Sequence, residues 1–514
     1  MRLAVSRRAI VALAADRLHS ENASAAAIRK AGLGTVCASA LLMAGLPLAP
    51  AKAAGQLSWR PCAKAARDWP VADDTSTECA MLTVPMDYAN PQGRKIKIAV
   101  SRIRAADPGK RRGALLVSPG GPGIFNLDGP PSLVSKGLGA LATDHDIIGL
   151  DPRGVGHSDK INCAETPAEE QPEASAKERA KAFFDAQAKD NERCVATDPA
   201  FIRQLTTRNI ARDVDAIRAA LGESKISFFG VSYGTAVGAN YRSMFDDRVD
   251  RMWLDSVMPT VMDSDAMNAS LDELRERNFA GFVSWMAAHD PEYHFGTTAG
   301  RVRKSIFDLR DRLKREPVKV DDETVLDGEW VTVRLGGGPR SWPQSAKDLA
   351  TVREGGIPES ARSTGLSVNR QARVFGLDDP VGGLNTVQYN AVMCNEGTGG
   401  RDFEKMWARK EARMRAYPAT GGVLQFGIYC AGWPWPAQEW EPVKGNSPLQ
   451  LSGHIGEFST PYAWAVAMRD AIGGVLLTIE DDEHGSLSRI PCAARAVDFF
   501  RTGRTTGGTC PGVR

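Results

Sequence analysis

The sequence predicts an α/β fold, with a mostly parallel sheet and helices crossing between its strands. Three observations point there. Short, apolar, β-prone runs recur at residues 114–117, 146–150, 225–229 and 251–254, with helical stretches between several of them. At 514 residues the chain is long enough for two domains, or for one large α/β domain carrying insertions. Finally, Gly230-Val231-Ser232-Tyr233-Gly234 puts a serine where a strand turns sharply into a helix. Glycines on both flanks permit that turn, because a side chain there would collide with the neighbouring strand or helix.

Taken in order, the elements begin with a leader. Arg29 and Lys30 precede a mostly apolar stretch, residues 31–50, and small residues follow at 51–54. That is a signal-peptide layout, so the mature chain is expected to begin near Ala54, with no stable membrane insertion once the leader is removed. Arg7-Arg8 lies far from the apolar run, which favours general secretory export over the twin-arginine route. Of nine cysteines, Cys37 falls in the leader; Cys62, Cys79, Cys163, Cys194, Cys394, Cys430, Cys492 and Cys510 remain. An even count in an exported chain suggests disulfides. Pairing of sequence neighbours is one hypothesis among roughly 105 connectivities.

Residues 55–260 read as the first part of the core. Ile96, Ile98, Val100 and Ile103 alternate with polar or small residues, an edge-strand pattern. Residues 165–191 read as a helical excursion closed by Cys163 and Cys194. Ile210, Val214, Ile217 and Leu221 recur at helical spacing, with Asn209 as N-cap and Gly222 as the stop. Strand 225–229, the serine turn and a helix over 235–244 follow. Alternation stops over residues 261–443, where helices at 266–286 and 302–314 give way to Gly-, Pro- and Trp-rich loops, the pattern of an inserted, mainly helical lid. It resumes in residues 444–514 with strands at 449–452 and 474–480 and a helix at 493–501.

A net charge of +2 with no Lys/Arg-rich run argues against nucleic acid as a partner. Seven scattered histidines without HExxH or CxxC spacing argue against a metal, and nothing calls for a cofactor. A serine nucleophile does need a base, an acid to orient it and donors for the oxyanion. His484 fits the base, on a loop between strand 474–480 and helix 493–501. His454 comes before the candidate acid and one strand too early. The acid is Glu457, the one carboxylate between strand 449–452 and a helix opened by Thr460 as N-cap and Pro461. Asp481 and Asp482 are too close in sequence to reach the far ring nitrogen of His484. The oxyanion donors are the N–H groups of Tyr233 and of Gly121, in Gly120-Gly121-Pro122-Gly123.

These residues, with Asp151-Pro-Arg-Gly-Val-Gly-His-Ser158, resemble the α/β-hydrolase peptidases of the proline iminopeptidase family. The likeness is closer to the secreted tripeptidyl aminopeptidases of actinobacteria, through Cys79-Ala-Met-Leu-Thr-Val-Pro-Met-Asp-Tyr88, Cys430-Ala-Gly-Trp-Pro434 and the ending Cys492…Gly508-Thr509-Cys510. It spans most of the mature chain and is thin over residues 261–390. It implies an α/β-hydrolase core, a lid formed by the insertion, and cleavage near a peptide's free amino end. Two positions depart from the family pattern: Pro119 stands where a histidine is usual, and Glu457 where the family carries aspartate.

The leading expectation is therefore a monomeric serine exopeptidase, secreted or held at the cell wall, acting through an acyl-enzyme. Glu396 is the candidate counter-charge for the substrate ammonium, on a segment that a Cys394 disulfide would hold. An esterase or amidase of small natural products is the alternative, and an inactive binding protein on the same fold, motivated by the Glu457 loop, is a third.

Overall fold

Apolar runs too short for helices assemble into one ten-stranded sheet. The computed structural model describes residues 57–513 apart from 67, 72, 119, 164–165, 167–173, 321–322, 363–383 and 423–426. The expected leader, residues 1–54, and Pro119 lie outside the described residues. All described residues belong to one compact unit, Ala53–Arg514.

The strands are β1 (Arg60–Pro61), β2 (Glu78–Pro85), β3 (Lys95–Ile103), β4 (Ala114–Ser118), β5 (Asp146–Leu150), β6 (Ile226–Val231), β7 (Val249–Asp255), β8 (Val318–Val320), β9 (Glu323–Leu326), β10 (Leu449–His454), β11 (Val475–Glu480) and β12 (Thr509–Pro511). The main sheet runs β1-β2-β3-β5-β4-β6-β7-β10-β11-β12, and β8 and β9 form a separate hairpin. From β5 through β12 every neighbouring pair in this sheet is parallel; β1, β2 and β3 add antiparallel pairings at one side. The order reverses at β4, which sits between β5 and β6, so the loops after β4 and β6 open at the switch point where such sheets bind ligands.

Strand alternation splits the core in two. Leu116, Ile148, Phe228 and Leu254 join one buried cluster with Ile210 and Val214 of helix Thr207–Ala220 and Val237 of helix Tyr233–Phe245. Their chain neighbours Leu115, Ile147, Phe229 and Trp253 join the opposite cluster with Ala496, Phe499 and Phe500 of helix Ala493–Thr502.

Two local expectations are corrected. Strand β3 is not an edge, because β2 pairs along it in antiparallel register and covers that side. The cap of helix Thr207–Ala220 is Thr206, whose hydroxyl accepts from Asn209 N at 3.2 Å; the Asn209 side chain turns back to Gln204 instead. The helical excursion is Ala176–Thr197, begun by a capping box at Ser175 and Glu178.

Among the described residues no strand between β7 and β10 joins the main sheet. Helices Ser264–Ala288, Ala299–Arg315, Gly328–Val333 and Trp342–Arg353 instead bury Phe279, Phe282, Ile306, Trp330 and Leu349 in a cluster of their own. Helix Thr386–Glu396 differs: Val387, Ala391 and Val392 pack into the core of the sheet. Asn385 N donates to Gly123 O at 2.8 Å, so this helix rests on the glycine loop.

Four disulfides join sequence neighbours: Cys62–Cys79, Cys163–Cys194, Cys394–Cys430 and Cys492–Cys510. Alkylation of the folded protein without reduction should therefore modify none of these eight cysteines. Replacing Cys394 and Cys430 together by serine should cost about 2–5 kcal/mol in denaturant unfolding. A labelled cysteine among the eight would contradict this pairing.

Candidate active site

The serine turn follows from backbone sterics. Ser232 adopts φ 56° and ψ −128° at the junction of β6 and helix Tyr233–Phe245. Such a non-glycine conformation costs about 1–3 kcal/mol and persists only where its surroundings hold it. Here Ser232 N donates to Asp255 O at 3.1 Å, and Ser232 O accepts from Thr235 N and Oγ1 at 2.8 and 2.6 Å. A Cβ on Gly230 would lie 2.6 Å from Gly234 O, so only glycine fits there.

The glycine loop after β4 packs against Ser232. A Cβ on Gly120 would lie 3.2 Å from Ser232 Cβ, and Gly121 has φ +121°. This loop is tied down by Asp151, whose carboxylate accepts from Asn126 N, Leu127 N and His157 N at 2.8, 2.9 and 2.8 Å. Arg153 is buried with Asp213 in a bidentate pair at 2.7 Å, and Tyr88 OH donates to the same carboxylate. The Asp151–Ser158 stretch is thus a scaffold for the glycine loop, and sequence reasoning gave it no role.

His484 and Glu457 meet as the sequence suggested: His484 Nδ1 is hydrogen-bonded to Glu457 Oε1. Glu457 is fully buried. Its Oε1 also accepts from Thr460 N at 3.0 Å and from the Thr460 hydroxyl, and Oε2 accepts from Ser256 Oγ at 2.9 Å. The helix begins at Tyr462, so Thr460 is not its N-cap: its hydroxyl serves the Glu457 carboxylate instead. Gly485 packs against Val231, where a Cβ would lie 2.8 Å from Val231 Cγ1, which brings the His484 loop beside the serine turn. Among the described residues no hydrogen bond joins the Ser232 hydroxyl to His484. In unliganded enzymes this contact is often long and tightens only with substrate.

Ser256 was invisible in the sequence. It is buried with φ 53°, donates to Glu457 and accepts from Gly485 N at 2.8 Å. One hydroxyl therefore links Glu457 to the residue after His484.

His454 is no base: it lies buried between two carboxylates, with Nε2 3.0 Å from Asp255 Oδ1 and Nδ1 2.6 Å from Asp481 Oδ1. Burial alone would lower its pKa, but the charge and hydrogen bond of Asp255, the hydrogen bond of Asp481 and the charge of Glu457 raise it to about 10. Asp481 is thus occupied away from His484, and Asp482 accepts from Arg340 N of the inserted block at 2.9 Å.

Tyr233 follows Ser232 and is buried, its hydroxyl 2.9 Å from Thr207 Oγ1. Glu396 ends helix Thr386–Glu396 and accepts from Thr207 N at 2.7 Å, Thr207 Oγ1 at 2.6 Å and Arg208 N at 3.4 Å. It therefore caps the N-terminus of helix Thr207–Ala220 from the neighbouring helix. Desolvation pushes its pKa up to about 7 against these hydrogen bonds. Among the described residues no cluster of metal-ligating side chains occurs, and no helix is long and apolar enough to cross a membrane.

The sequence is similar to those of known proteins. Residues 113–344 match a family model described as alpha/beta hydrolase fold, and residues 417–510 one described as TAP-like protein. The chain is 33% identical over 488 residues to the tripeptidyl aminopeptidase of Streptomyces lividans, covering 90% of this chain and 87% of that one. It is 26% identical over 494 residues to the serine protease Hip1 of Mycobacterium tuberculosis, covering 90% and 91%. A carboxylesterase B of Mycobacterium tuberculosis is 28% identical over 494 residues, covering 86% and 90%.

The raised pKa of His454 has a signed consequence. Protonated His454 stabilises the fold fully below its ordinary value of 6.5, and that contribution is lost as pH rises through about 10. His157, beside Asp151 and Asp68, is raised to about 9 and acts in the same sense. Unfolding free energy should fall from pH 7 to 10, and fall less steeply in His454→Gln. Equal slopes in the two proteins, read from denaturant melts, would contradict the charged state of His454.

Proposed function

The chain belongs to the α/β-hydrolase serine peptidases related to the tripeptidyl aminopeptidases, and we propose that it is an exported aminopeptidase that cleaves short peptides through an acyl-enzyme on Ser232. The observation that carries the reading is the hydrogen bond between His484 and the buried Glu457, on the loops beside a strained serine turn. With Nδ1–H given to Glu457, the His484 Nε2 lone pair is free to act as base. Ser232 Oγ then attacks the scissile carbonyl carbon as its proton passes to His484 Nε2. The N–H groups of Tyr233 and Gly121 take the oxyanion charge. Collapse of the tetrahedral intermediate breaks the C–N bond, and His484 returns the proton to the leaving amine. Water, deprotonated by the same ring, releases the acyl fragment.

Recognition of the amino end falls to Glu396. Its carboxylate stands one hydroxyl away from the Tyr233 phenol, through Thr207, at the far end of the helix whose N-cap, Asn385, bonds to the glycine loop. A charge-assisted hydrogen bond to a substrate ammonium is worth about 1.5–3 kcal/mol. Export is supported by the four disulfides, which persist in oxidising compartments. The named carboxylesterase relative favours a second reading, an esterase using the same triad. A panel of tripeptidyl and aminoacyl chromogenic amides against short acyl esters separates the two by kcat/KM.

Ser232→Ala should fold normally and lose on the order of 10⁶ in kcat, and a variant keeping a tenth of the activity would exclude Ser232 as nucleophile. Glu457→Gln should lose about 10⁴ in kcat, because an amide permits the wrong tautomer and cannot stabilise imidazolium. Glu396→Gln should raise KM for peptides with a free amine by about 10- to 150-fold, the binding energy above expressed as a ratio. It should leave N-acetylated or ester substrates unchanged. A uniform effect on all substrates would leave Glu396 only its capping role.

A further inference from the structure

One buried ion cluster lies outside the triad. His454 ends β10, where it is wholly buried, and each ring nitrogen faces a carboxylate oxygen. A neutral imidazole has one N–H and one lone pair, and the lone pair would point at a carboxylate, so the ring here donates from both nitrogens as imidazolium. The charged groups facing it are Asp255 at the end of β7, Asp481 after β11, and Glu457 on the acid loop. Ser486 Oγ adds a contact at 3.4 Å to Nδ1.

Each partner of His454 leads to a different member of the catalytic set. Asp255 O accepts the Ser232 N–H, and the next residue, Ser256, bridges Glu457 and Gly485. Asp255 Oδ1 also accepts from Ser452 Oγ at 2.6 Å, which fixes the carboxylate between β7 and β10. Asp481 Oδ2 accepts from Ser486 Oγ at 2.7 Å and from Val513 N at 2.9 Å. The segment carrying His484 is therefore pinned at both ends, Asp481 and Ser486, to the same imidazolium. Asp481 O further accepts from Gly456 N, next to Glu457.

We propose that His454 is a positioning residue for the triad: its imidazolium clamps Asp255 to Asp481 and so aligns the serine turn, the Glu457 loop and the His484 loop. The inference rests on Ser232, Glu457 and His484 being the triad. It assigns a role in turnover to a histidine that touches no substrate.

The test compares His454→Gln with the unmodified enzyme on a tripeptidyl chromogenic amide. Misalignment on the scale of an ångström costs on the order of 100-fold, so kcat should fall by about that factor while KM stays within about threefold. A loss confined to kcat, with KM kept, marks misalignment of the reacting groups, which a general loosening of the fold would not produce. If His454→Gln fails to fold, Ser486→Ala loosens the same clamp with the ion cluster kept, and should lower kcat about tenfold at unchanged KM. Fluorophosphonate labelling of Ser232 in the unmodified enzyme separates the two levels. No labelling there would sink the triad reading and this inference with it. Labelling there, with wild-type kcat in folded His454→Gln, or in Ser486→Ala if only that variant folds, would overturn the inference alone.

Discussion

A carboxylate with no exposure to solvent must have its oxygens satisfied from within, and the catalytic end of this molecule is organised around that requirement at Glu457. Four donors meet it: His484 Nδ1, Thr460 N, the Thr460 hydroxyl and the Ser256 hydroxyl. They come from three places in the chain, the loops after β7, β10 and β11. The loop inverts the usual preference to achieve this, burying Glu457 while leaving Phe458 beside it 44% exposed. Losing any one donor would leave a buried charge underpaired, at about 1–3 kcal/mol or more.

Behind that carboxylate lies a second one-sided dependence. Parallel strands β7, β10 and β11 end side by side, with Ser452 opposite Asp255 and His454 opposite Ile479. Their C-terminal residues must then share a small polar volume, and acids there repel unless a cation stands among them. His454 is that cation. The glycine loop has its own support of the same kind, in which Asp151 holds the backbone and the Arg153–Asp213 pair holds the Asp151–Ser158 turn from below. Breaking such a buried pair by removing one partner is costly, about 3–5 kcal/mol, whereas the intact pair adds little net stability. These pairs are better understood as fixing geometry than as adding stability.

Much of this was legible in the sequence because it is local. The strands of the parallel sheet announce themselves as apolar runs, and the serine turn is set by Gly230 and Gly234. Glu457 stood out because its loop holds one carboxylate between a strand and a Thr-Pro pair. The misreadings were also local in cause. Thr206 and Asn209 are both good capping residues three positions apart, and only the backbone decides between them. Strand β3 looked like an edge because its alternation is half polar, and its antiparallel partner β2 is disguised by Cys79, Met81 and Thr83. What could not be read was every contact made across long sequence separations: Ser256 with Glu457, and His454 with an aspartate 199 positions away. Nothing in the spacing of those residues signals them.

The central claim is that Glu457 fixes the tautomer of His484. Nitrogen-15 NMR of ring-labelled histidine tests it most directly, with the His484 signals identified by their loss in His484→Asn. The account predicts a neutral His484 protonated at Nδ1, with a strongly downfield Nδ1–H proton that disappears in Glu457→Gln. A neutral His484 protonated at Nε2, or a spectrum unchanged by Glu457→Gln, would contradict it.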